Sequence, residues 1–123
     1  MAKRNIVHIE IPAMQAGKAG SFYHDLFGWE IESIPDMDYV MWDAGHGSQG
    51  GFNPLDDEFK PGDVLIYVAS QDIDADLKQC EKLGGTIVRN KTEIPGTGWF
   101  GIFKDPTGNR IGLYTSKNPD FNK

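Results

Sequence analysis

One cysteine, Cys80, is all that this 123-residue chain carries, which excludes an intrachain disulfide and any thiolate metal cluster. It has no run of about 18 apolar residues, the length a helix needs to cross a bilayer. Its start, Met-Ala-Lys-Arg-Asn, lacks the apolar core of a secretory signal, so a cytoplasmic location is expected. Basic residues are scarce as well. Twelve Lys and Arg face eighteen Asp and Glu, a net charge of −6. A nucleic acid would be repelled, because its affinity comes mainly from cations that neutralise phosphates. Neither nucleic acid nor membrane is an expected partner.

What is present is globular composition, 39% hydrophobic and 24% charged, in a length that suits one domain and not two ordinary ones. Fifteen glycines and seven prolines imply many turns and a strand-rich chain. Ile6 to Ile11 alternates β-branched residues and stops at Pro12, a strand. Ala16, Ala19, Tyr23 and Leu26 recur at helical spacing, with Phe22 widening the stripe, and Gly28 supplies a C-cap. Strands follow at Trp29–Ile34, Tyr39–Asp43 and Gly50–Asn53, the first two separated by a turn at Pro35–Asp38.

Polar residues 54–62, with two prolines and three consecutive acids, read as a linker. Beyond it come a strand at Val64–Ala69, a helix capped by Asp72, and strands at Thr86–Arg89, Trp99–Phe103 and Arg110–Thr115. The tail from Ser116 is polar and expected to fray.

Strand, helix and three strands therefore occur twice. An offset of 57 lays His8 on Leu65, Ile11 on Val68 and Gly28 on Gly85. The last strands match at an offset of 61, Gly51 on Gly112 and Phe52 on Leu113. The difference implies a four-residue insertion between the second helix and the last strand. The pattern is that of a duplicated module.

Two sets of residues carry a resemblance. One is His8-Ile-Glu-Ile-Pro followed by Ser21-Phe-Tyr-His-Asp-Leu-Phe-Gly-Trp29. The other is Asp72-Ile-Asp74 through Leu83-Gly-Gly85, then Pro95-Gly96 and Phe103-Lys-Asp-Pro-Thr-Gly-Asn109. In this order they resemble the glyoxalase/bleomycin-resistance/extradiol dioxygenase (vicinal oxygen chelate) superfamily, in particular the branch related to lactoylglutathione lyase. The resemblance implies an α+β fold: two tandem βαβββ modules, about 5–57 and 63–116, with pseudo-two-fold symmetry. They would form a cup-shaped, half-open barrel within a single domain of residues 1–123. It also implies a homodimer, whose second chain covers sheet edges.

In that family up to four side chains on the first and last strands hold one metal. Carried over, the positions are His8, Gly51, Leu65 and Gly112. Only the imidazole can ligate, and a catalytic ion needs about three protein ligands. No metal and no other cofactor is expected there. An improvised His8/Glu10/His46 site is the alternative, with His46 more simply a solvated loop residue and His24 a surface one.

The missing side chains are expected to leave room for an elongated apolar or aromatic molecule. Glu10, two residues from His8, shares its sheet face, and Tyr67 and Tyr114 are the matched inner positions of the second module. The expected ligand-binding set is His8, Glu10, Gly51, Leu65, Tyr67, Gly112 and Tyr114. Phe52, Met41, Trp99 and Phe103 are further candidate walls, and the loop at Pro95–Gly98 with Trp99 is a candidate lid.

Three functions fit these residues. The first is a metal-free binder of an apolar or aromatic small molecule. The second is a lyase or isomerase with Glu10 or His8 as the catalytic acid/base. The third is a protein-interaction module with a filled core. Gly45-His-Gly-Ser-Gln-Gly50 matches a dinucleotide-binding pattern, but Asn53-Pro54 cannot open the helix that pattern needs, so it is a hairpin turn. Cys80, mid-helix beside acids, is a poor nucleophile. Asp105-Pro-Thr-Gly-Asn109 is turn chemistry.

Overall fold

The structure, a computed structural model, describes residues 3–37 and 39–121. Asp38, the last residue of the expected turn at 35–38, lies outside them. The chain is an α+β fold of two βαβββ modules. The first runs β1 (Ile6–Pro12), α1 (Ala16–Phe27), β2 (Glu30–Ile34), β3 (Tyr39–Gly45) and β4 (Ser48–Asn53). The second runs β5 (Leu65–Ala69), α2 (Ile73–Lys82), β6 (Thr86–Ile94), β7 (Gly98–Lys104) and β8 (Arg110–Ser116). Two compact units result: Val7–Leu65, and the chain from Ile66 onward with the segment up to Ile6. The division falls inside β5, after the expected linker. Among the described residues no helix is long and apolar enough to cross a membrane.

In the first unit the strand order is β2-β3-β4-β1, with β1 parallel to β4 and the other pairs antiparallel. The order follows from connection lengths. Short turns permit the antiparallel hairpins, whereas parallel β1 and β4 need the long excursion through α1. The second unit repeats it as β5-β8-β7-β6.

The duplication is visible in the register. Ile9, Glu10, Ile11 and Pro12 pair with Gly50, Gly51, Phe52 and Asn53. Ile66, Tyr67, Val68 and Ala69 pair with Ile111, Gly112, Leu113 and Tyr114. Every pair matches its counterpart at the two offsets read from the sequence. The four-residue insertion is the longer β6–β7 hairpin, where β6 has nine residues against five in β2. Two register shifts, between Ile87 and Arg89 and between Arg89 and Thr92, accommodate it. Thr86–Arg89 therefore marked only the first half of this strand.

Each helix packs on one face of its own sheet. On α2, Ile73 and Leu77 are buried against Leu113, with Ile87, Trp99 and Phe103 around them. On α1 the buried face is Gly20 with half-buried Ala16, Ala19 and Tyr23. Leu26 and Phe22, placed in the apolar stripe by spacing, are exposed, as is Phe27. Tyr23 fills the interface instead, stacking on Phe52 and on Trp29, which in turn stacks on Trp42 at 4.4 Å. The tail does not simply fray: a turn at Asn118–Phe121 brings the Phe121 ring edge-on to Tyr114 at 5.5 Å.

Candidate functional site

Strand alternation assigns the faces. In the first unit the α1 side takes Phe52 and Trp42, and the opposite face takes Glu10, Gly51 and Met41, paired across β1, β4 and β3. His8 and Tyr39 share the parity of that face. Phe52 is therefore core, 1% exposed, and only Met41 among the candidate walls of this unit stays on the site face. In the second unit Trp99 and Phe103 pack on the α2 cluster. Trp99 is no lid. Its ring lies under the Lys91 and Lys117 ammonium groups, and Lys117 N–H donates to Thr97 of the adjoining turn.

His8, Glu10 and Tyr39 form one hydrogen-bonded cluster. The Tyr39 hydroxyl donates to Glu10 Oε1 at 2.7 Å. His8 Nε2 lies 2.9 Å from the same oxygen and 3.0 Å from the Tyr39 oxygen. With Glu10 as the carboxylate it has no proton to give, and the phenol proton is already committed. Nε2 must then carry a hydrogen and donate to both acceptors. Glu10 is 7% exposed, and its second oxygen, Oε2, is buried without a hydrogen-bond partner among the described residues. An unmet buried acceptor costs about 1–3 kcal/mol, more when charged, so such a group calls for a partner.

Tyr39 was not among the expected site residues. The signal was present: it lies two residues before Met41, which registers against Gly51. A Cβ on Gly51 would stand 1.7 Å from the Tyr39 hydroxyl oxygen. The glycine thus makes room for the phenol. The second unit repeats the device at Gly112, whose added Cβ would lie 2.4 Å from the ring of its register partner Tyr67. The space expected above these glycines is therefore occupied, in both units, by a tyrosine of the chain.

The remaining expected residues are placed as follows. Leu65 and Tyr67 are buried on β5, and Tyr67 meets Phe100 edge-on at 6.5 Å, with the Arg89 guanidinium over Phe100. Tyr114 is half-buried against Phe121. His46 stands at the tip of the β3–β4 hairpin with φ 54°, between Gly45 and Gly47 at positive φ, as a two-residue turn of the primed type requires. His24 is exposed and hydrogen-bonds the Trp29 carbonyl through Nδ1.

Among the described residues no three His, Cys, Asp or Glu side chains gather as a metal site requires. The family's ligand positions do not fit an ion here, because two are glycines covered by tyrosine rings and a third is the hydrocarbon of Leu65. Burial first, then the Glu81 charge, raises the Cys80 thiol above its ordinary value, which disfavours the nucleophilic thiolate. Asp105 Oδ1 accepts from the backbone N–H groups of Thr107, Gly108 and Asn109, a structural turn.

The fold and these strand positions define a class, and the comparisons agree with it. The chain belongs to the Glyoxalase/Bleomycin resistance protein/Dioxygenase superfamily, whose profile matches residues 5–113. A search of the curated proteins returns no match. Among solved structures, a superfamily member from Vibrio splendidus 12B01 is 14% identical with a TM-score of 0.65, covering 91% of this chain and 98% of its own. Methylmalonyl-CoA epimerase from Mycobacterium tuberculosis is 19% identical with a TM-score of 0.65, covering 89% and 85%. A protein named NAD-dependent benzaldehyde dehydrogenase from Legionella pneumophila is 17% identical with a TM-score of 0.67, covering 89% and 97%. At these identities the likeness concerns the fold.

Proposed function

We propose that the chain binds a small molecule without a metal ion, through the cluster of Glu10, His8 and Tyr39. The observation that carries this reading is the Glu10 carboxylate, one oxygen accepting two hydrogen bonds and the other buried without a partner among the described residues. A cluster built only to fill a core would leave no such atom, since replacing it with apolar groups of similar shape is often neutral or stabilising. Its retention is accounted for if a ligand completes it. Gly51 supports the same reading, because it admits the phenol that holds Oε1.

The test is a fragment screen by ligand-observed NMR on the wild type and Glu10→Gln. Binders whose signals are lost in the variant, with its fold intact, are expected. A screen in which every binder survives Glu10→Gln unchanged would overturn the assignment. The active form is a homodimer on this reading, since β2 in the first unit and β6 in the second are each an end strand of their own unit and present backbone groups a second chain can cover. Sedimentation should give twice the 13.7 kDa chain mass, and a 13.7 kDa species alone would contradict it.

A further inference from the structure

We infer that the molecule bound at Glu10 presents a cationic nitrogen with N–H groups, an ammonium, amidinium or guanidinium, and not an anionic end. This deepens the proposed function and rests on it. Two polar hydrogens stand at the carboxylate, on Tyr39 Oη and His8 Nε2, and both point at atoms of the cluster. Neither is left to receive a carboxylate or phosphate. What is left is an acceptor, Oε2, on a carboxylate.

A neutral donor such as an alcohol would meet the hydrogen-bonding deficit; a cationic N–H meets it with a charge-assisted bond, about twice as strong as a neutral one. The terminal carboxyl torsion is soft, so the carboxylate can adjust to an arriving donor. Met41, opposite Gly51 on this face, is an unbranched side chain that yields readily.

The experiment compares three probes of one shape, benzylamine, benzyl alcohol and benzoate. Each is titrated into the full chain at constant ionic strength and followed by amide chemical shifts. Benzylamine is expected to move the amides of His8, Glu10, Tyr39 and Gly51 with the highest affinity, and benzyl alcohol to bind about tenfold more weakly. Benzoate should leave those amides unmoved. Glu10→Gln should reduce benzylamine affinity by about tenfold or more. Tyr39→Phe, which keeps the carboxylate, should retain the order amine over benzoate even if the first variant fails to fold.

Benzoate moving the same amides as strongly as benzylamine would overturn the cationic class while leaving a small-molecule site in place. All three probes leaving these amides unmoved would overturn both readings. Benzylamine binding Glu10→Gln as tightly as the wild type would show that the amine is held elsewhere, and the inference would fall.

Discussion

At the residue scale the informative positions are two glycines. Gly51 and Gly112 stand where the family resemblance implies ligating side chains, yet neither leaves open space. A Cβ at Gly51 would meet the Tyr39 hydroxyl, and one at Gly112 would meet the Tyr67 ring. Gly51→Ala is therefore expected to destabilise the chain by about 1–3 kcal/mol, the usual range for overpacking, as measured by urea unfolding. Because the cost comes from one neighbour, Gly51→Ala and Tyr39→Ala should be strongly non-additive, the double variant costing less than the sum. Strict additivity would show that Tyr39 is not what demands the glycine. The same displacement would strip Glu10 Oε1 of its phenol donor, so Gly51→Ala should also alter ligand affinity.

At the element scale the two helices begin differently. Asp72 caps α2, its side chain accepting from the Ala75 N–H at 3.0 Å. Gln15 precedes α1 with extended backbone and no side-chain cap. Asp72→Ala should cost about 1 kcal/mol and Gln15→Asp should gain about half that or more, read as opposite shifts in melting temperature.

The β7–β8 turn has a pH dependence whose sign is fixed. Hydrogen bonds from Asn109 above all, backbone and side chain, then from Gly108 and Thr107, hold the Asp105 carboxyl below its ordinary value of 3.8. A depressed folded value means that the contribution is complete above the unfolded value. It is lost as pH falls through the folded one, below 3.8. Amide exchange at Thr107–Asn109 should accelerate in that acid window in the wild type, and Asp105→Asn should abolish the pH step. An unchanged step in the variant would place its origin elsewhere.

At the scale of the whole molecule the expectation concerns metal. With His8 the only ligating side chain among the four family positions, purified protein should hold well under one equivalent of zinc, nickel, iron or manganese by elemental analysis. Added zinc or nickel should leave the melting temperature unmoved, since a tightly bound ion would raise it through linkage. A stoichiometric ion held by His8 with Glu10 would contradict both the metal-free reading and the cationic ligand, because the ion itself would then satisfy the carboxylate.

The sequence by itself determined the elements and their repetition. Period-two and helical spacing, Gly28 as the left-handed C-cap with φ 75°, and Asp72 as the N-cap all act within a few residues. The offsets of 57 and 61 relate the register of Glu10 with Gly51 to that of Tyr67 with Gly112, because a duplicated module preserves pairing when side chains diverge. Tertiary structure decided which face each aromatic takes. Phe52, Trp99 and Phe103 went to the helix side and Tyr39 to the site, while Leu26 and Phe22 were left outside. Cross-strand register and helix packing bring together residues far apart in the chain, such as Glu10 and Tyr39, and local periodicity has no term for that. The orphaned Oε2 belongs to the same category: an unmet hydrogen bond exists only once every neighbour is in place.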